Sequence, residues 1–218
     1  MGLASYRRSV SETKRAAILK AARENFLKGG YSRAAMAEIA RDADVSTATL
    51  YKHFSSKDTL FAAIVEDAYS GTEGSLWIDI KGLSAREALK NIGRAYARQQ
   101  FDGEMNALLR IVIAEVPSAP RLAQDAYQNG VVARYDQIKQ VVDALVARGE
   151  LKPHNTYDGV RHLGGMVKEF IVWPALFTPD FPRPDDLDAR IDACIDAYLK
   201  IYGAETMAAR PQEKTIGT

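Results

Sequence analysis

The chain has 218 residues, 47% of them hydrophobic and 26% charged, which is typical of a folded protein and excludes a disordered or fibrous one. Its single cysteine excludes an internal disulfide framework and a multi-cysteine zinc site, and its longest uncharged apolar stretch is far shorter than the ~18–20 residues of a membrane helix. The net charge is +1, but residues 1–60 carry five more basic than acidic side chains and the remainder four more acidic ones, which favours an anionic polymer as partner of the N-terminal part.

The basic N-terminal part is predicted to begin with a long helix. Ser9 and Glu12 have the spacing of a capping box, and apolar residues then recur every four positions until Gly29-Gly30 stops the helix. A short second helix follows from the apolar spacing over 36–43. A fourth helix is predicted after Ser55-Ser56, with five apolar residues facing inward: Leu60, Phe61, Ile64, Val65 and Ala68.

Two short helices joined by a four-residue turn are predicted within residues 34–54, AAMAEIARDADVSTATLYKHF. Such a pair keeps a fixed angle only if apolar residues pack in its corner, here Ile39, Ala40, Val45 and Leu50. Asp44 lies where the turn requires a left-handed residue, and Ser46 can cap the next helix. That helix then presents small or hydrogen-bonding side chains and a cation, which suit the major groove of DNA: Thr47, Ala48, Thr49, Lys52 and His53.

The rest of the chain is predicted to be helical as well. A glycine-bearing connector over 71–83 precedes a helix that begins at Ser84. Residues 107–116 fit either a buried strand or a helix, and the absence of a second strand candidate favours a helix. Pro117 and Pro120 end it, and a shorter helix is expected up to Asn129-Gly130.

Three further helices are predicted from there to the C-terminus. Apolar residues step 4, 3, 4, 3 from Val131 and form a heptad-like seam that ends at Gly149. The same period continues after Pro153 to the region of Pro174. A last helix begins near Asp185 and ends at Gly203, and residues 204–218 are expected to form a flexible tail.

Residues 10–64 resemble the DNA-binding head of the TetR family of transcriptional regulators. The segments that carry the resemblance are Ala16-Ala17-Ile18-Leu19, Phe26, Gly30-Tyr31, Ile39-Ala40, Val45-Ser46, Thr49-Leu50-Tyr51, His53-Phe54 and Lys57-Asp58-Thr59-Leu60-Phe61. The resemblance implies an all-α fold with a three-helix helix-turn-helix domain over 1–56 and a larger helical ligand-binding and dimerisation domain over 57–203. It also implies a set of DNA-binding residues: Ser46, Thr47, Ala48, Thr49, Tyr51, Lys52, His53 and Lys57.

The chain departs from the family pattern at three places. Ala34 and Ala35 stand where the second helix usually opens with a Thr or Ser whose hydroxyl bonds a phosphate, which leaves Ser32 or Arg33 as replacements. Asp44 replaces the glycine of the turn, and Thr47 replaces a common lysine of the recognition helix. These changes are expected to alter which operator is read rather than whether DNA is bound.

Residues 101–151 resemble the C-terminal region of the AefR-like subgroup of this family. In the family, two long helices form a four-helix dimer interface, which here implies the helices over 131–148 and 157–177. The residues expected in that interface are Tyr135, Val142, Leu145, Gly164, Val167 and Ile171.

Five aromatic residues of the C-terminal part are candidates for the wall of an apolar ligand cavity, although aromatic side chains at helical spacing more often belong to an ordinary core: Phe101, Tyr127, Phe170, Trp173 and Phe177. Arg110 and Glu115 fit a buried ion pair better than polar groups of a pocket. His154 and His162 are expected to be structural and not metal ligands, and Cys194 a small core residue.

No catalytic motif and no cofactor-binding motif occurs in the chain, and no metal site is expected. Residues 1–10 lack the apolar core of a signal peptide, so we expect a cytoplasmic location and no membrane partner. The favoured function is a homodimeric transcriptional regulator, namely a repressor that a small apolar or amphipathic ligand releases from a palindromic site in double-stranded DNA. The alternatives are a regulator gated by a protein partner, or a helical binding module or enzyme with a vestigial DNA-binding head.

Overall fold

The computed structural model describes residues 3–70, 79–102 and 104–204, and helices form most of these ranges. They are α1 (Leu3–Arg33), α2 (Met36–Asp42), α3 (Thr47–His53), α4 (Lys57–Ser70), α5 (Ala85–Asp102), α6 (Met105–Ala114), α7 (Pro120–Ala126), α8 (Ala133–Ala147), α9 (Thr156–Ile171), α10 (Trp173–Phe177) and α11 (Leu187–Tyr202). The extended pairing found in the described ranges is one isolated bridge between Leu151 and Gly203. The prediction of an all-α fold is confirmed.

Helices α1 to α4 form the N-terminal head, and three aromatic rings lie at the centre of its core. Phe26 meets Phe61 edge to face with 5.1 Å between ring centroids, and Tyr31 lies 5.4 Å from Phe61. Both phenylalanines are fully buried. Such ring pairs add stabilisation to the burial of the rings themselves, so this cluster fixes how α4 lies against α1.

The first helix begins earlier than predicted. It starts at Leu3, so that Ser9 lies inside the helix, where its carbonyl accepts a hydrogen bond from the Thr13 hydroxyl at 3.0 Å. The predicted stop is correct in its position, because Gly30 has φ 75° and ψ 169° and breaks the helical path. A positive φ of this size is readily adopted only by glycine.

The core of the head continues into the C-terminal part. Met105, Leu108 and Val112 of α6 and Leu122 of α7 are buried in the same apolar cluster as the inner faces of α1 and α4. The five residues of α4 that were predicted to face inward are all buried in it. The head therefore packs directly on α6 and α7.

A second core lies between α5, α8, α9 and α11, and it corrects the predicted dimer interface. Val142, Leu145, Val167 and Ile171 are at most 4% exposed and pack inside this core, where they cannot meet a second protomer. Tyr135 and Gly164 face each other, because a Cβ added at Gly164 would lie 3.3 Å from Cε1 of Tyr135. The heptad-like seam joins α8 to α9 within one chain.

Two helix boundaries differ from the prediction. Helix α7 does not end at Asn129-Gly130 but passes through a π-helical turn, Tyr127–Val132, directly into α8. The helix predicted over 157–177 is divided at Val172, where α10 begins with Pro174 in its first turn. The helical interpretation of residues 107–116 is confirmed by α6, whereas 71–78 of the connector and 205–218 of the tail lie outside the described residues.

Three ion pairs set α5 in register with α11. Lys90 Nζ lies 2.6 Å from Asp192, Arg94 Nη2 lies 2.8 Å from Asp188, and Arg86 pairs with Asp196 one turn further along. The pairs are partly exposed, so each contributes little to stability, but together they match charge along two neighbouring helices.

Within the described ranges, no helix combines the length and the apolar character that crossing a bilayer requires.

We predict that Phe61→Ala lowers the free energy of unfolding by about 3–5 kcal/mol, because it removes the ring that joins α4 to α1 and leaves a cavity. Urea denaturation followed by circular dichroism measures the change. Tyr51→Ala, at an aromatic residue that is 49% exposed, is the control and is expected to cost less than about 1 kcal/mol. Equal losses from both variants would show that the aromatic cluster does not hold the head together.

Candidate nucleic-acid interface and internal cavity

The corner between α2 and α3 is built as the sequence predicted. Ile39, Ala40 and Leu50 are at most 1% exposed, so the two short helices meet on small and branched apolar side chains. Asp44 has φ 53°, the left-handed conformation expected for the turn. The backbone N–H of Val45 donates to the carbonyl of Ala40 at 3.0 Å and closes the turn. The angle between α2 and α3 is thereby fixed.

Helix α3 is capped at its start by Ser46. The Ser46 Oγ accepts a hydrogen bond from the backbone N–H of Thr49 at 3.1 Å and also lies 2.9 Å from the Thr49 hydroxyl. A serine cap of this kind satisfies one of the free N–H groups of the first helical turn. Helix α3 is only seven residues long, so its stability depends on this cap and on Leu50 in the corner.

The outer face of α3 is open to solvent. Thr47, Ala48, Tyr51 and Lys52 are exposed, and Thr49 and His53 are half-buried. These are residues predicted to contact DNA, and the helix presents them together because its single fully buried residue, Leu50, faces inward. A short exposed helix with small side chains at its start and a cation near its end matches the shape and chemistry of the major groove.

Lys57 has a role that the sequence pattern did not predict. Its ammonium group donates to the carbonyl of Tyr31 at 2.9 Å, and the carbonyls of Ala34 and Ser32 lie 3.3 and 3.4 Å away. It also lies 4.4 Å from the centroid of the Tyr31 ring. The group is thus used within the protein to hold the turn between α1 and α2. The Lys57 side chain is half-buried in this arrangement.

The start of α2 has no side-chain cap, because Ala35 precedes it and carries no hydrogen-bonding group. Of the two proposed replacements, Arg33 donates from Nε to the carbonyl of Gly29 at 2.8 Å, and Ser32 donates to Glu115 Oε1 at 2.9 Å. Both side chains are therefore engaged with other parts of the protein.

A cation that the sequence pattern missed is Arg15, which lies over the Phe54 ring at 5.4 Å, next to the end of α3. A basic residue in α1 carries no local signal that it lies beside the recognition helix.

The C-terminal part encloses a cavity of about 400 Å³, bounded by α5, α6, α8 and α9 with contributions from neighbouring helices. Its wall is largely aliphatic, with Leu89, Leu108, Ile138 and Leu163 among the lining residues. Apolar cavities of this size are typical of small-molecule sites.

Two of the five aromatic candidates line this cavity and three do not. Tyr127 and Trp173 are in its wall. Phe101 lies outside it and stacks on Phe181 with 6.4 Å between ring centroids, Phe170 packs under Arg190, and Phe177 is 82% exposed. The structure corrects the expectation for these three residues, because a 3.6-residue period identifies a helix face but not the space that the face borders.

Few polar side chains reach the cavity. Arg134 of α8 is 7% exposed and Gln100 of α5 is 3% exposed, and both line the wall. Lys168 of α9 donates a hydrogen bond to the hydroxyl of Tyr135, and its Nζ lies 4.4 Å from the centroid of that ring. The cavity therefore has two cationic side chains and few other polar groups in a largely apolar wall.

The end of α6 connects the wall of the cavity to the head. Leu108, Val112 and Ile113 of α6 line the cavity, and Glu115 at its C-terminal cap accepts the hydrogen bond from Ser32 of the head. A hydrogen bond from the Ser118 hydroxyl is the largest cause that lowers the pKa of the Glu115 carboxyl, and Ser32 and Lys57 act in the same direction.

The expected ion pair of Arg110 with Glu115 does not form, because Arg110 donates to the carbonyl of Ala175 at 2.6 Å.

The histidines and the cysteine of the C-terminal part have structural surroundings. His154 stacks on Tyr202 with 4.2 Å between ring centroids, and His162 Nδ1 is hydrogen-bonded to the Tyr202 hydroxyl at 2.5 Å. No group of three potential metal ligands occurs among the residues that the structure describes. Cys194 is buried, and burial raises the pKa of its thiol, which disfavours the reactive thiolate.

Two family models match the chain. The model described as "AefR-like transcriptional repressor, C-terminal domain" covers residues 87–204, and the model described as "Bacterial regulatory proteins, tetR family" covers residues 18–64. Together they cover both the head and the part that encloses the cavity.

Individual proteins agree with these matches. A crystal structure from Mesorhizobium loti, described as that of a TetR-family transcriptional regulator, superposes with a TM-score of 0.79 at 28% identity and covers 89% of this chain and 98% of its own. The regulator HbdR of Aromatoleum sp. (strain CIB) is 22% identical over 202 residues, which is 92% of this chain and 87% of that protein. The activator FasR of Mycolicibacterium smegmatis is 46% identical over 55 residues, a quarter of each chain.

We predict that Asp44→Val lowers the free energy of unfolding by about 1–2 kcal/mol, because a β-branched residue is strained at a positive φ. Asp44→Gly, which removes the strain, is expected to keep or raise the stability of the protein. Thermal unfolding of the two variants beside the parent protein measures the difference. A stable Asp44→Val variant would contradict the left-handed turn between α2 and α3.

Proposed function

Because the chain belongs to the TetR family of bacterial transcriptional regulators, we propose that it is a homodimeric repressor released from a palindromic operator by a small amphipathic ligand. Its family consists of regulators and not enzymes, and its C-terminal part is the ligand-binding domain. A repressor of this kind acts in the cytoplasm, where bacterial operator DNA lies. The observation that carries the proposal is the exposed, serine-capped helix α3 on a rigid corner.

The sign of regulation is supported by the description of the C-terminal model, which names a repressor. The sequence of the head does not distinguish a repressor from an activator, because the head is also similar to that of an activator. The alternative of a vestigial head has little support, since α3 keeps its cap, its buried corner and an outer face of small, hydroxyl-bearing and cationic side chains.

A dimer is needed because one short helix makes few base contacts. Two recognition helices held one helical turn of DNA apart, ~34–36 Å, place both in successive major grooves. We propose that the outer faces of α9 and α11 form the dimer interface, in place of the residues that are buried in the second core. On α11, Ala189, Ala193 and Ile201 lie on one exposed side at four-residue and eight-residue spacing, and Ile201 is 59% exposed. On α9, Gly165 is exposed and has open space around it.

Release by a ligand requires that the cavity and the head be mechanically connected. Helix α6 supplies both part of the cavity wall and the hydrogen bond to Ser32, and Val65 of α4 lines the cavity too. A ligand that favours another position of α6 or α4 thereby changes the orientation of the head. The ligand can change the free-energy difference between the two orientations only by the difference between its binding free energies for them.

We predict that Lys52→Ala weakens binding to the operator at least tenfold and reduces the dependence of affinity on salt by about one charge, because it removes one cation from the DNA-facing side of α3. The operator is obtained by selection from a random-sequence pool, and fluorescence anisotropy measures binding at several salt concentrations. Lys152→Ala, an exposed lysine of the C-terminal part, is the control and is expected to bind normally. Failure of the parent protein to enrich any palindromic sequence would refute the proposed function.

We predict that Ile201→Asp converts the dimer to a monomer, because it introduces a charge into the apolar face of α11 that the proposed interface buries. Sedimentation velocity measures the molecular mass, and the affinity for a two-half-site operator is expected to fall at least tenfold with it. Ala147→Asp adds the same charge at an exposed position of α8 and is expected to remain dimeric. If Ile201→Asp and Ala147→Asp both remain dimeric, the interface lies elsewhere on the protein.

A further inference from the structure

We propose that the cavity binds an amphipathic anion, a molecule with an apolar body and one acidic head group. This inference rests on the proposed function, in which the cavity is the effector site, and it adds the chemical class of the ligand. It is carried by the charges of the cavity wall, by the hydrogen bond between Lys168 and Tyr135, and by one amide oxygen of the wall that has no hydrogen bond.

The charges of the wall have one sign. Among the described residues that line the cavity there are two cations, Arg134 and Lys168, and no aspartate or glutamate. Lys168 has no carboxylate of the described residues within ion-pair distance, although nine such pairs occur elsewhere in the described chain. A cationic wall in apolar surroundings attracts an anion more strongly than one in water, because the effective dielectric constant is lower there.

One of these cations, Lys168, polarises a hydroxyl group in the cavity wall. Arg134 and Tyr135 are neighbours on α8, and Lys168 of α9 donates a hydrogen bond to the Tyr135 oxygen. The hydroxyl proton of Tyr135 remains to be donated to another acceptor. Arg161, an exposed cation that is not among the lining residues, also lies over this ring with its guanidinium carbon 5.7 Å from the centroid. An acidic head group near Tyr135 would therefore accept charge-assisted hydrogen bonds, which are the stronger kind.

One further group in the wall favours a bound molecule. Gln100 is 3% exposed, and its Oε1 makes no hydrogen bond with any described residue. A buried amide oxygen without a partner costs free energy, and buried polar groups are normally paired. A hydroxyl or N–H group on the ligand body would supply that partner. The aliphatic remainder of the wall, including Leu89 and Ile138, accommodates the apolar body.

The test compares ligands that share a body and differ in the head group. Fluorescence of phenylnaphthylamine bound to the intact protein, without DNA, reports displacement by dodecanoate, dodecanol and dodecylammonium, and by the aromatic pair cinnamate and cinnamyl alcohol. We expect each acid to displace the probe at a concentration at least tenfold lower than its alcohol, and dodecylammonium to be weakest. The two series distinguish an aliphatic from an aromatic body.

Variants show whether the named residues cause this preference. Lys168→Met is expected to lower the affinity for dodecanoate at least tenfold and to change the affinity for dodecanol by no more than about twofold. Methionine keeps the packing of the lysine side chain and loses its charge. Arg134→Met is expected to act in the same direction. Thermal unfolding first establishes whether Arg134→Met folds. If Arg134→Met does not fold, the test uses Lys168→Met alone. Lys152→Met, at an exposed lysine away from the cavity, is the control and is expected to keep the preference.

Four results would overturn the proposal: equal displacement by acid and alcohol, preference for the ammonium, absence of displacement by every ligand, or a Lys168→Met variant in which the binding of dodecanoate and the binding of dodecanol are weakened equally. Because no DNA is present, these results are independent of operator binding. A protein that binds its operator but does not distinguish acid from alcohol would refute this inference and leave the proposed function intact.

Discussion

The arrangement of the molecule depends on an apolar core that the head shares with α6 and α7. Phe26 and Phe61 bind α1 to α4 at one end of this core, and Leu108 and Val112 of α6 complete it at the other. Leu108 and Val112 also line the cavity. Packed interiors do not deform gradually, so a change in the volume that α6 encloses moves whole helices. The orientation of the head and the content of the cavity are consequently coupled through the same side chains.

The two sites place their cations in different surroundings, and the two proposed anionic partners differ correspondingly. The outer face of α3 carries Lys52 in solvent, where screening is strong and the partner is a polymer with many charges. The cavity holds Arg134 and Lys168 in apolar surroundings, where a single charge on a small molecule has a larger effect. Net charge alone does not separate these cases, because the two parts of the chain nearly cancel.

The sequence predicted the helices and their buried faces better than it predicted what those faces meet. The corner of Ile39, Ala40 and Leu50 is local, so its spacing determines its structure, and Asp44 has the conformation that its position in the turn required. Val142 and Val167 were recognised as members of an apolar seam, yet periodicity does not distinguish a partner helix of the same chain from one of a second chain. Lys57 shows the same limit for a polar group, because its carbonyl partners lie 23 to 26 residues away in sequence.

The π-helical turn between α7 and α8 has a consequence for how one helix serves both cores. Leu122 of α7 packs in the first core and Val142 of α8 in the second. In an uninterrupted α-helix these two apolar stripes would point to different sides. A wider turn accommodates one additional residue and rotates everything after it back by about 100°. Through Tyr127–Val132, one continuous run of helix thus supplies an apolar side chain to each core.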